Sequence, residues 1–202
     1  KTFVVGNPPP GFGGRYFLFV KVTTDNGIVG YGEVYAASVG PKAMVAVIED
    51  VFARHIAGMS PFQIEHMFRR VHSSGFSQRP DPTVMGAFSG IEMACWDIAG
   101  KAVERPVYDL LGGQVHQRLR TYTYLYPQGD QEAGDFYNNA TLSAQAATQY
   151  VEQGYTALKF DPAGAYTVID PHQPSMEILA QSEAFCKEVR AAVGDRADLL
   201  FG

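Results

Sequence analysis

The chain has 202 residues, a net charge of −5, and 46% hydrophobic against 18% charged residues. That length holds one or two domains. The acidic balance argues against a general electrostatic grip on nucleic acid, and no apolar run approaches the ~20 residues of a membrane span.

Thr2–Val5 reads as a short strand. Lys1 stands inside that apolar run, so the natural N-terminus is expected upstream. No stretch reads as a signal peptide. Asn7–Gly14 (NPPPGFGG) is too rich in proline and glycine for regular structure, and Phe12 is its one large side chain. Arg15–Thr23 alternates as a strand, Asp25-Asn26-Gly27 signals a turn, and Ile28–Val34 returns as the partner strand. Tyr35 follows at its end.

Pro41 opens a helix with Met44, Val47, Ile48, Val51 and Phe52 as its apolar stripe, and Gly58 stops it. Pro61 opens the next helix, with Ile64, Met67, Phe68 and Val71 inward. His66 and His72 are six apart, which points them to different helix faces and not to a shared metal. Ser73–Thr83 reads as a loop whose one fixed charge is Arg79. Arg79 is read as a solvated cation, with carboxylate binding as the alternative.

Ala87–Gly113 (AFSGIEMACWDIAGKAVERPVYDLLGG) dominates the middle of the chain. Phe88, Ile91, Ala94, Cys95, Ile98 and Ala102 recur at helical spacing on one face. Ser89 with Glu92 reads as a capping box. Asp97 and Lys101 stand four apart in the favoured acid-before-base order. Pro106 ends the periodicity, and the paired glycines mark a domain edge. Cys95 and Cys186, the two cysteines, fall at apolar helix positions and read as reduced core residues.

Beyond Gly113 the pattern becomes alternating strand and helix. Leu119–Leu125 and Tyr155–Phe160 read as strands, with a helix over Ser143–Gln153 between them. Ser175 caps a helix running to Val193, Gly194 ends it, and Ala197–Phe201 is a third strand. This is the βαβ repeat of a parallel sheet.

The segment GIEMACWDIAGKAVERPVYDLLGG resembles the helix-and-exit motif of the mandelate racemase and muconate lactonizing enzyme family, within the enolase superfamily. Compatible features run from Tyr16 to Phe201. The resemblance implies an α/β chain: an α+β N-terminal capping domain over residues 1–115, then, over 116–202, the first three βα units of a TIM-like (β/α) barrel. A complete eight-stranded barrel needs about 250 residues, so only its opening is expected here. The implied chemistry is removal of a proton α to a carboxylate, with Mg²⁺ holding the enolate. The implied ligands are acidic side chains at the ends of strands three, four and five. Gly202 lies at or beside the first of these places and has no side chain, so either the metal ligands lie beyond it, as the resemblance leads one to expect, or this member lacks the first of them.

Lys159 and Asp161 are the candidate catalytic pair. They sit two apart at the C-terminal end of a strand, where barrel enzymes carry their active groups. Structural alternatives are an ion pair or a lysine snorkelling at the rim. The resemblance matches Lys159 to the family's strand-two lysine. Racemases of the family resemble Lys-x-Lys at this point, and here the second position is Asp161. That departure disfavours a two-base racemase and is compatible with acid-sugar dehydration, where one base takes the α-proton and an acid assists loss of hydroxide. Phe12, in a loop that covers the barrel mouth in the resembled family, Tyr35 and Arg79 are the candidate substrate contacts.

The expected function is therefore Mg²⁺-dependent dehydration of a sugar acid to a 2-keto-3-deoxy acid. The alternatives are a racemase, epimerase or cycloisomerase of the same superfamily, or a non-catalytic relative that binds a small acid. The expected partner is a small carboxylate, with no nucleic acid or membrane, in a cytoplasmic homo-oligomer.

Overall fold

The computed structural model describes residues 2–5, 15–35, 39–74, 81–127, 131, 133–162 and 173–201, and the side chains among these except at 2–5, 15–16 and 133–134. Phe12, Arg79 and Gly202, and the loop Asn7–Gly14, lie outside the described residues. The chain divides into two compact units, Lys1–Val115 and His116–Gly202. Among the described residues no helix is long and apolar enough to cross a membrane.

The first unit is α+β. Strands β1 (Thr2–Val5), β2 (Arg15–Thr23) and β3 (Val29–Val34) form an antiparallel sheet in that order. Leu18 faces Val34, and Thr23 faces Val29. The turn between β2 and β3 closes because Thr24 N donates to Ile28 O at 3.0 Å and Ile28 N donates to Thr24 Oγ1 at 2.9 Å. Gly27 there has φ +87°, a conformation that favours glycine.

Helices α1 (Pro41–Val51), α2 (Ile64–His72) and α3 (Pro82–Ala102) cover one face of the sheet. A π-helical turn, Phe52–Ile56, extends α1, and a short helix α4 (Val107–Leu110) follows Pro106. Alternation along β2 and β3 aims Leu18, Val20 and Val34 at these helices. Met44, Val51, Met67, Val71, Phe88, Ile91 and Cys95 complete the core.

Four expectations change. Helix α3 begins at Pro82 and not near Ser89. Asp81 is its N-cap and accepts from Thr83 N at 2.9 Å and Val84 N at 3.2 Å, so Ser89 lies in the helix interior. Helix α2 begins at Ile64, because Pro61 sits in a preceding turn. Phe68, expected inward, is 37% exposed and stacks on His72 at 5.6 Å, and Ala102 is exposed where α3 runs out past the sheet.

Strand β3 is an edge of the sheet, and α3 closes it with side chains. Asp97 Oδ2 accepts from Tyr31 N at 3.0 Å and from Lys101 Nζ at 2.7 Å; Lys101 Nζ also donates to Val29 O at 2.8 Å. The i,i+4 pair read from the sequence thus saturates edge backbone groups that would otherwise invite strand addition. Asp97→Ala is expected to cost about 1 to 2 kcal/mol, because it frees both donors at a partly exposed site. Asp97→Asn, which keeps an acceptor for Tyr31 N, should cost less. Chemical denaturation midpoints at constant m-value check both.

His55, in the π-helical turn, has a buried Nε2 with no hydrogen-bond partner among the described residues. Burial, then the charges of Arg54 and Arg70, hold its pKa below the ordinary 6.5, against an opposing pull from Asp50. The unfolded chain therefore binds this proton more readily than the folded one. The stability that a neutral His55 confers is complete above pH 6.5 and is lost as pH falls from there through the folded value. The thermal midpoint is expected to fall on acidification across this window, and the drop should shrink in His55→Leu.

The second unit holds three parallel strands, β4 (Thr123–Tyr124), β5 (Ala157–Phe160) and β6 (Asp198–Phe201), in that order. Helices α5 (Ala133–Asn138) and α6 (Ala140–Glu152) connect β4 to β5, and α7 (Met176–Val193) precedes β6. Leu125, Leu158 and Phe160 pack against Phe136, Ala146, Ala147, Phe185, Val189 and Val193 from these helices. Asn139 caps α6, Ser175 caps α7, and α7 ends at Gly194 with φ +56°. Helix α5 was not legible, and the expected strand Leu119–Leu125 pairs only at Thr123 and Tyr124, with Leu125 N adding a bond to Lys159 O at 2.9 Å. Ahead of Thr123, side chains take over from the ladder: Arg120 Nε donates to Thr156 Oγ1 at 2.8 Å, and Arg120 pairs with Asp198 at 2.7 Å.

Candidate active site

Strand β5 sets the site. Its residues alternate between two faces. Leu158 and Phe160 are buried against α6 and α7. Lys159 therefore projects from the opposite face and is half-buried there. Its neighbours across the ladder are Tyr124 on β4 and Leu200 on β6.

The Lys159 ammonium stands over two aromatic rings, 5.1 Å from the centroid of Tyr124 and 6.0 Å from that of Tyr122. Tyr124 in turn packs on Tyr126 at 5.8 Å. No carboxylate among the described residues lies within ion-pair distance of the ammonium. Asp161 follows the strand, exposed, with Pro162 after it, and makes no ion pair with Lys159. Asp198, on the Lys159 face of β6 by register, is held by Arg120. Among the described residues the lysine is thus oriented by π faces, with no carboxylate paired to it. Such an ammonium keeps N–H donors available for an anion.

The tyrosines were missed as site residues. Their signal was present: in LRTYTYL, Tyr122 and Tyr124 are two apart on a strand, so they share a face. What the sequence did not reveal was the register that sets Tyr124 beside Lys159.

Tyr35 lies in the first unit, just after β3, and is 82% exposed. Cys95 is buried and its thiol is pushed up to about 11 by burial, so it is an inert core thiol. A cavity of about 590 Å³ in the first unit is lined by Phe52, Ile56, Met59, Phe62, Cys95 and Ile98, among others, with the Thr24–Asn26 turn at its edge. It gathers no acid–base constellation. Among the described residues no group of three His, Cys, Asp or Glu side chains is placed to hold a metal ion. The described residues therefore do not make a Mg²⁺ site.

An α+β unit followed by parallel β/α units, with a lysine on the free face of the second strand, defines a class of fold and site. Residues 12–112 match the sequence model of the mandelate racemase / muconate lactonizing enzyme N-terminal domain, and the chain belongs to this family of the enolase superfamily. A mandelate racemase/muconate lactonizing enzyme from Sulfitobacter sp. superposes with a TM-score of 0.91 at 60% identity, over 100% of this chain and 51% of that one. The counterpart from Jannaschia sp. CCS1 gives 0.90 at 56% identity, over 100% and 52%. A curated relative, the D-galactonate dehydratase of Xanthomonas axonopodis pv. citri (strain 306), is 32% identical over 182 residues, 90% of this chain and 43% of that protein. The chain thus spans about half the length of its solved relatives and somewhat less of the curated one.

Proposed function

We propose that the full-length protein abstracts the proton α to the carboxylate of a sugar acid and expels the β-hydroxyl, giving a 2-keto-3-deoxy acid. The observation that carries this reading is Lys159, set on the face of β5 away from the helix-packed core. The similarity to a D-galactonate dehydratase supports the substrate class.

The chemistry balances simply. The α C–H bond breaks, its proton passes to a base, and its electron pair enters the enolate. The enolate then forms the Cα–Cβ double bond as the β C–O bond breaks, the departing hydroxide leaves as water with a proton from an acid, and the enol tautomerises to the ketone. As an ammonium, Lys159 stabilises the negative charge developing on the enolate; as a free amine it takes the proton. Asp161 accepts a proton, orients Lys159 or binds a sugar hydroxyl. Phe12, Tyr35 and Arg79 are proposed substrate contacts, and the small carboxylate binds to a cytoplasmic homo-oligomer. Mg²⁺, when bound, supplies charge to stabilise the enolate, and its ligands are assigned to residues outside those described.

A second reading is favoured by the relatives at 56% and 60% identity, which are described only as mandelate racemase/muconate lactonizing enzymes. It is an isomerase: racemase, epimerase or cycloisomerase. The two readings separate on one experiment. The full-length protein is incubated in D₂O with D-galactonate and a panel of other sugar acids, with and without Mg²⁺. Formation of a 2-keto-3-deoxy acid only with Mg²⁺ supports the dehydratase. Deuterium at Cα without loss of water supports the isomerase. No exchange and no product across the panel sinks the enzymatic reading of these acids.

A further inference from the structure

We infer that Tyr124 is a positioning residue for Lys159, holding the ammonium over the face of its ring; this rests on the reading that Lys159 acts on the substrate. Parallel register places Tyr124 and Lys159 side by side on neighbouring strands. The distance to the ring centroid, 5.1 Å, lies within the range of a cation–π contact. Tyr122, two residues before Tyr124 and just ahead of β4, supplies a second and more distant ring at 6.0 Å. The Tyr124–Tyr126 contact at 5.8 Å gives the Tyr124 ring a packed neighbour. On the other side Leu200 offers only hydrocarbon.

Among the described residues, the charged and titratable groups around Lys159 leave this contact uncontested. Asp161, beyond the end of its own strand, makes no pair with it, and Asp198 on β6 is engaged by Arg120 at 2.7 Å. Among the described residues, the rings of Tyr124 on β4 and of Tyr122 just ahead of it face the ammonium. A carboxylate partner would fix the ammonium but cancel its charge. A ring face fixes it while leaving the charge and the N–H donors for a ligand anion. Lysine has four rotatable side-chain bonds, so without such a contact the amine would sample many positions. Because misplacement by about 1 Å can cost on the order of 10²-fold in rate, the contact matters to turnover more than to substrate binding.

The test uses the full-length protein carrying ¹³Cε-labelled lysine, with the Lys159 signal assigned by its loss in Lys159→Met. Ring currents should shift the Lys159 ε-protons upfield in the wild type and in Tyr124→Phe, which keeps the ring. In Tyr124→Leu, which keeps apolar bulk, they should return toward the position of a solvated lysine. With D-galactonate and Mg²⁺, Tyr124→Leu should lower kcat about ten-fold or more while KM stays within about three-fold, and Tyr124→Phe should retain wild-type kcat. Tyr122→Leu, with its longer contact, should show both effects more weakly, and it serves if Tyr124→Leu does not fold. An unshifted Lys159 signal in the wild type, or one unchanged in Tyr124→Leu, overturns the inference. So does loss of kcat in Tyr124→Phe equal to that in Tyr124→Leu, which would assign the role to the hydroxyl, or full kcat in Tyr124→Leu. If D-galactonate is not turned over at all but the upfield signal vanishes in Tyr124→Leu, the dehydratase reading fails on this substrate and the positioning stands.

Discussion

Gly32→Ala is expected to lower the thermal midpoint of the N-terminal unit by about 10 °C or more, a loss of roughly 3 kcal/mol in a unit of this size. A Cβ on Gly32 would lie 1.9 Å from the carbonyl oxygen of Gly90, 2.9 Å from its carbonyl carbon and 3.0 Å from Met93 Cβ. The obstacle is helix backbone, which cannot rotate away as a side chain can. Gly30 is similar: its Cβ would meet Ala94 O at 2.1 Å and Ile98 Cγ1 at 2.7 Å. The crowding is reciprocal, since a Cβ on Gly90 would meet Val34 Cγ2 at 2.2 Å. Strand β3 and helix α3 thus approach to backbone contact along a glycine seam. Relief requires the strand and helix to separate, which would open the core around Leu18, Val34 and Ala87. The control is Gly27→Ala. Unlike Gly32, Gly27 has a positive φ, +87°, but nothing lies within 4 Å of its Cβ position, so only the conformational strain of about 1 kcal/mol applies. Thermal unfolding followed by circular dichroism separates the two. A Gly32→Ala protein that melts within 2 °C of wild type, by that order-of-magnitude scale, would show that the seam does not hold the unit together.

Lys159→Met is expected to abolish turnover in the full-length protein, a loss of about 10³-fold or more in kcat, while shifting the thermal midpoint by no more than about 2 °C. Methionine keeps the length and apolar bulk of the side chain and deletes only the amine. The structural cost is small because the amine makes no ion pair among the described residues and loses only its contacts with the Tyr122 and Tyr124 rings. The core on the other face of β5, built on Leu158 and Phe160, is untouched. The measurement is steady-state kinetics on whichever sugar acid the screen identifies, beside a melting curve. A Met variant with wild-type kcat would remove Lys159 from the chemistry.

These two residues illustrate how unevenly the molecule could be read in advance. Element types followed from periodicity and punctuation. Alternation in Arg15–Thr23 and Val29–Val34 with Asp-Asn-Gly between them is a hairpin because side chains point up and down in turn and glycine tolerates the turn. Ser175 and Gly194 bracket α7 because a hydroxyl satisfies a free N–H at one end and glycine accepts a positive φ at the other. The face of β5 followed in the same way: Leu158 and Phe160 on one side leave Lys159 on the other.

Helix starts were less legible where a loop-like composition concealed a cap. In the stretch RPDPT, proline and aspartate suggested a turn, whereas Asp81 followed by Pro82 is an N-cap and a first-turn proline. The capping-box spacing of Ser89 and Glu92 was a local coincidence inside a continuing helix. The sequence by itself determined the type of most elements, the β2–β3 hairpin and the face that carries Lys159, because these depend on neighbours within a few residues. Only the tertiary structure decided that Gly30, Gly32 and Gly90 form one seam, that Asp97 and Lys101 close the edge of β3, and that Tyr124 lies beside Lys159. Those facts rest on register between segments 35 to 72 residues apart, which no local pattern encodes.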